Sequence, residues 1–146
     1  MNKVLLAFCS LMITTGVIAQ QKATTTTAPI KFKEAKHDFG KIKQGVPVTY
    51  DFAFQNVSKK PVVIESATAS CGCTTPTWPK TPVSKNKSSK ISAGFNAAAA
   101  GPFDKTIFVK VAGSEQPLEL KITGEVLNEA DFTKYQQSAK DKKTGK

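Results

Sequence analysis

Val48-Thr49-Tyr50-Asp51-Phe52-Ala53-Phe54-Gln55-Asn56 decides the fold: Val48, Tyr50, Phe52 and Phe54 alternate with Thr49, Asp51, Ala53 and Gln55. A period of two marks an extended chain with one face in a core, because successive side chains leave a strand on opposite sides. The rhythm recurs outward from this stretch. Ile30 and Phe32 alternate with Lys31 and Lys33, and Val62-Val63-Ile64 opens a run after the turn Asn56-Val57-Ser58-Lys59-Lys60-Pro61. Ile91, Ala93 and Phe95, then Ile107, Val109 and Val111, then Leu118, Leu120 and Ile122 follow the same pattern. Each run has strand length and stops at Gly, Pro, Asn or Ser. Six or seven short strands with no amphipathic helix between them predict an all-β, antiparallel β-sandwich of about seven strands. Its expected core is Tyr50, Phe52, Phe54, Ile64, Ile91, Phe95, Ile107, Val109, Leu120 and Ile122, with neighbours taking over where a bulge shifts register. Phe32, Phe103 and Phe108 read as packing residues rather than a ligand box.

The ends differ from this middle. Lys3 precedes a largely apolar run from Val4 to Ile18, which is shorter than the roughly 20 residues of a membrane-spanning helix. Val17 and Ala19 stand at the small-residue positions of a cleavage site before Gln20. Residues 1–19 therefore read as a signal peptide, and the expected location is the periplasm or the exterior. Residues 20–29, with Thr24-Thr25-Thr26-Thr27, read as a Thr-rich linker. Residues 30–127 form the sandwich. Residues 128–146 read as a Lys-rich, solvated tail in which Phe132 and Tyr135, three apart, are suited to seat a short helix.

Charge narrows the partners. The formal net charge is +10, every cation among 21 is Lys, and no Arg is present. That pattern speaks against nucleic acid, where bidentate contacts favour Arg. No membrane span is expected in the mature chain, and oligomeric state is not legible. An envelope protein or polymer remains the expected partner class. No Ser-based nucleophile motif, phosphate loop or paired-carboxylate pattern appears, and no cofactor is expected. His37-Asp38 reads as part of a turn with Gly40, because neighbours on an extended chain point apart.

Chemistry concentrates at Cys71-Gly72-Cys73. Cys9 leaves with the signal peptide, so these are the only thiols of the mature chain. A pair at i, i+2 in an exported chain is a disulfide, a thiol-redox site, a soft-metal site or a buried structural loop. Residues i and i+2 of a strand lie about 6.6 Å apart, at the upper end of disulfide reach, and Gly72 admits backbone angles that close the gap. So small a ring restricts the unfolded chain little, which suits redox work better than stabilisation. A structural zinc site wants four ligands, and two thiolates with His37 make three; Cu(I) accepts two or three. Trp78, between Pro76 and Pro79, is expected to pack beside the cysteines as a supporting residue with Gly72.

Several landmarks together resemble one family: Phe32; His37-Asp38-Phe39-Gly40-Lys41-Ile42; Gly45; Phe52-Ala53-Phe54-Gln55-Asn56; Ser70-Cys71-Gly72-Cys73-Thr74-Thr75-Pro76; Gly101, Phe103 and Lys105-Thr106-Ile107; and Gly124-Glu125-Val126. Spanning about Phe32 to Val126, the chain is similar to the bacterial domain-of-unknown-function family 1573, exported immunoglobulin-like domains common in Bacteroidetes and akin to abnormal-spindle, Hydin and major-sperm-protein domains. The resemblance implies an immunoglobulin-like fold and an envelope location, and no established activity. The family usually carries a Pro-Gly turn where Asn86-Lys87-Ser88-Ser89 stands here. The function expected is a non-enzymatic binding or structural module of the bacterial cell envelope; the alternative is a periplasmic thiol-redox or copper-handling accessory protein using Cys71 and Cys73.

Overall fold

The alternating runs become strands, and the strands form two sheets packed face to face. The computed structural model describes residues 28–144; the expected signal peptide and most of the Thr-rich linker lie outside the described residues. The strands are β1 (Ile30–Phe32), β2 (Lys36–Lys43), β3 (Val48–Asn56), β4 (Ile64–Ala69), β5 (Thr74–Thr77), β6 (Ser88–Phe95), β7 (Gly101–Val111) and β8 (Leu118–Leu127). One sheet has the order β1-β3-β6-β5, the other β2-β8-β7-β4. The inward faces meet in one core in which Phe52, Ile91, Ile107, Val109, Leu120 and Ile122 are fully buried. Tyr50 departs from expectation: it is only half-buried and stacks on His37, its ring centroid 3.5 Å from the imidazole at 6° between planes. The period-two rule held along β3 until the strand reached the sandwich margin, where an aromatic ring packs sideways.

The sandwich of about seven strands is observed with eight, two of them lying where the alternation is broken or absent. The stretch around Asp38 and Gly40 is a β-bulge inside β2 rather than a turn. The register with β8 shifts between Asp38 and Lys41, Gly40 takes φ +65°, and its N–H donates to Asp38 Oδ1 at 2.8 Å. This bulge places one residue in the left-handed region, which glycine enters without steric cost. The other added strand is Thr74–Thr77, which has no apolar alternation; it pairs with β6 from Thr74↔Phe95 to Thr77↔Ser92. Pro76 fits there because β5 is an edge strand.

The pairing is antiparallel except at one seam. β2 runs parallel to β8, because the chain crosses to the other sheet between Lys43 and Val48 instead of folding back as a hairpin. Gly45 N–H donates to Ala97 O at 2.9 Å within that crossing. The bulge also brings β2 close to β8: a Cβ on Gly124 would lie 2.8 Å from the Gly40 carbonyl oxygen and from the Phe103 ring. Only glycine fits that contact.

Two more features bear on later arguments. Asn56, at the end of β3, is fully buried. Its Nδ2 donates to Lys60 O and Val83 O at 2.8 Å each, and its Oδ1 accepts from Ser58 N and Ser58 Oγ at 2.8 Å each. Asn86, at φ 62°, supplies the left-handed turn before β6 that the family's Pro-Gly would have made. The Lys-rich tail, expected as a solvated end, is helical: α1 spans Glu129–Thr144. Asn128 caps it, its Oδ1 accepting from Asp131 N at 3.0 Å, with Glu129 and Asp131 in the first turn against the helix dipole. A Lys43–Glu129 ion pair of 2.6 Å joins it to β2.

Candidate functional site

β4 ends at Ala69, and the chain must cross from the β4 edge of one sheet to the β5 edge of the other. Cys71-Gly72-Cys73 is that crossing. Ser70 anchors its first half: Ser70 N–H donates to Thr106 O at 2.9 Å and its Oγ accepts from Thr106 N at 3.2 Å. Asn96 N–H, donating to Cys73 O at 3.1 Å, anchors the second half to the end of β6. The two cysteines are bonded to each other, with Cα atoms 5.4 Å apart. Gly72 is exposed and both cysteines are half-buried.

The two sulfurs have different surroundings. Cys73 lines a cleft of about 260 Å³ bounded by Gly72, Phe95, Ala98, Phe103 and Lys105. Its floor is the Phe95–Phe103 pair, stacked at 4.2 Å and 22°. Cys71 does not line this cleft; its Sγ lies 3.7 Å from Thr74 Oγ1, and Thr74 is only 4% exposed. Thr74 N–H also donates to Cys71 O at 3.3 Å. Continuing the β4–β7 register, in which Ala69 faces Ile107, places Cys71 opposite Lys105. A disulfide, a cation and an apolar floor thus converge from β4, β6, β7 and the start of β5.

Other expected residues are not brought here. Trp78 is a correction: it follows β5 at the strand's far end, about 15 Å from Cys73 by the rise of an extended chain. The reason is that Thr74–Thr77 is strand and carries the ring away. There Trp78 receives Lys80 Nζ over its face at 3.3 Å and lines a separate cleft with Thr77, Ser89 and Lys90. Its Nε1 is buried without a hydrogen-bond partner among the described residues, for which we have no physical account. His37 is held in an aromatic cluster, edge-on to Phe39 at 4.7 Å and stacked on Tyr50. It faces Ile122 on β8, which faces Lys105 on β7. Three strand spacings, roughly 14 Å, therefore separate it from Cys71, so it supplies no third ligand. Among the described residues no group of three or more His, Cys, Asp or Glu is placed to hold a metal. Thr74 was missed by the sequence reading; only its position one residue past the CGC triplet hinted at it.

Elsewhere, two surface pairs shift an ionisation. The hydrogen bond from Lys90, then that from Ser92, holds the Asp51 carboxyl below its ordinary 3.8. The hydrogen bond to Glu125 raises Lys41 above its ordinary 10.5. No described helix is long and apolar enough to cross a membrane.

Solved structures share this architecture at low identity, which shows the fold alone. A protein of unknown function from Porphyromonas gingivalis W83 aligns with a TM-score of 0.57 and 15% identity over 66% of this chain and 46% of that one. The ASH/PapD-like domain 7 of human CEP192 aligns with a TM-score of 0.60 and 8% identity over 81% of this chain and 99% of that one. The Vibrio cholerae VesB protease aligns at 0.52 and 14% identity over 68% of this chain but only 32% of its own. The chain thus spans under half of the first of these proteins. No curated protein matches it. The immunoglobulin-like sandwich is therefore shared widely, and the sequence itself gives the assignment: with residues 30–126 matching the family profile, the chain belongs to the family described as protein of unknown function DUF1573.

Proposed function

We propose that the chain is an exported, non-enzymatic binding or structural module of the bacterial cell envelope. Family and fold carry the coarser statement, a binding or structural domain of undescribed role. The observation that supports export is the Cys71–Cys73 bond. Disulfides persist in oxidising compartments and are rare in the cytosol, and the apolar run of residues 4–18 behind Lys3 is the segment expected to deliver the chain there. Cleavage before Gln20 removes Cys9, leaving the bonded pair as the mature chain's whole thiol inventory. The partner is another envelope protein or polymer, met by a Lys-rich surface that attracts acidic groups.

The test is fractionation of cells expressing the tagged chain, with N-terminal sequencing and thiol alkylation of the recovered protein. The expected form begins at Gln20, lies outside the cytoplasm and takes up no alkylating agent before reduction. Recovery of a chain with intact Met1 in the cytoplasm would overturn the reading.

A further inference from the structure

We propose that the disulfide is a thiol-exchange site with a fixed polarity: Cys73 is the sulfur attacked, and Cys71 is the sulfur that leaves. The partner is a segment of another protein bearing two cysteines, with an apolar side chain beside the attacking thiol. This rests on the exported location in that reading and not on its non-enzymatic role, since the bonded state must be kept by the compartment.

The geometry carries the polarity. Of the two cysteines only Cys73 lines the cleft, so a thiol seated there approaches the disulfide from the Cys73 side. The stacked Phe95 and Phe103 rings give the apolar neighbour a floor. Lys105 stands on the rim with no ion pair among the described residues, and its charge draws a thiolate. Cys71 is turned the other way, against the buried Thr74 hydroxyl. That hydroxyl has no other side-chain partner among the described residues, and disulfide sulfur is a weak acceptor. A Cys71 thiolate would accept a charge-assisted hydrogen bond from it. Thr74 therefore interacts better with the state in which Cys71 has left than with the bonded state.

The steps balance. A partner thiolate attacks Cys73 Sγ, the Cys71–Cys73 bond breaks, and its electron pair goes to Cys71 Sγ. This leaves a mixed disulfide on Cys73 and a thiolate on Cys71 beside Thr74. A second thiolate of the partner then attacks the partner sulfur of the mixed disulfide, and Cys73 leaves with the electron pair. The partner is oxidised from dithiol to disulfide, and this chain is reduced to dithiol. The same steps in reverse, on a molecule bearing a disulfide, restore the bond. Exchange proceeds through thiolate and mixed disulfide in either direction.

The experiment uses the purified, oxidised chain and two probe thiols: glutathione, and a synthetic tetrapeptide with Cys next to Phe. Reactions are quenched with an alkylating agent and the modified sulfurs are located by fragmentation mass spectrometry. The probe is expected on Cys73 and the alkyl group on Cys71, with the Phe-Cys peptide reacting several-fold faster than glutathione at matched thiolate concentration. Thr74→Val is expected to slow the first step roughly tenfold, the worth of one hydrogen bond to a charged group, and Thr74→Ser to restore it. Melting temperatures of both variants separate loss of fold from loss of the hydroxyl. A probe found on Cys71, equal rates for the two probes, or a folded Thr74→Val variant reacting at the parent rate overturns the proposal. Because the assay uses purified protein, its failure is distinct from a failure of export.

Discussion

Replacing Asn56 with alanine tests whether one buried side chain holds the β3 end, the 57–61 turn and the segment before β6 together. The side chain is fully buried and makes four hydrogen bonds, two donated to Lys60 O and Val83 O and two accepted from Ser58. A net value of about 0.5–1.5 kcal/mol per bond is typical. The lower half of that range applies here. Val83 O keeps the Val62 N–H at 2.9 Å, the one Ser58 hydroxyl proton, which Asn56 Oδ1 and Lys60 O share, can turn wholly to Lys60 O at 2.7 Å, and Ser58 itself is near solvent. Four bonds at about 0.5–1 kcal/mol give about 2–4 kcal/mol, equivalent to a fall of about 10–20 °C in Tm for a domain of this size. Gln55→Ala is the control on the same strand: its Nε2 makes one exposed 3.2 Å bond to Asn86 O, and its loss should cost under about 1 kcal/mol. Urea and thermal unfolding of both variants measure the contrast. If Asn56→Ala unfolds within about 3 °C of the parent, the network is not what fixes this end of the sandwich.

Two other outcomes follow from the structure. Asp51 has its carboxyl pKa depressed by Lys90 and Ser92, so its contribution is present above the unfolded value near 3.8 and is lost as pH falls through the lower folded value; the Tm advantage of the parent over Asp51→Asn should therefore shrink between about pH 5 and about pH 2, and a constant difference across that range would show the pair is not coupled to folding. Truncation after Asn128 removes α1, whose described ties to the sandwich include the exposed Lys43–Glu129 ion pair, Phe132 and the 42%-exposed Tyr135; Tm should fall by less than about 5 °C, and a drop of about 10 °C or more would show that Phe132 docks firmly.

What the sequence revealed follows from the range of the forces involved. Phe52, Ile91, Ile107 and Ile122 announce themselves because burial of one strand face is a local, period-two constraint. β5 was hidden because Thr74-Thr75-Pro76-Thr77 offers no apolar alternation; as a polar edge strand it is held by backbone bonds to β6. β2 was partly hidden because the bulge at Gly40 breaks the alternation in the middle. Its parallel partner was invisible, since strand period carries no direction. Asn56 looked like a turn residue, and nothing local distinguishes an exposed turn asparagine from one that is fully buried. The Cys71–Gly72–Cys73 triplet was conspicuous, but the cleft beside it is assembled from β6 and β7, some 20 to 30 residues further along the chain, and Trp78 was misplaced for want of β5.

The parallel seam between β2 and β8 also sets an order in time. Among the described residues β2 is an edge strand whose one neighbour in its sheet is β8, and β8 is residues 118–127 of 146. A chain emerging from the N-terminal end exposes β2 long before its partner exists, and the sheet closes only when β8 arrives. Pairings this distant are slow, because loop closure comes before any contact rewards it. The half-made molecule is thus a thread with one sheet lacking its second strand, unable to lock into its final shape during synthesis. That delay is compatible with the export proposed above, which needs a chain that has not yet folded.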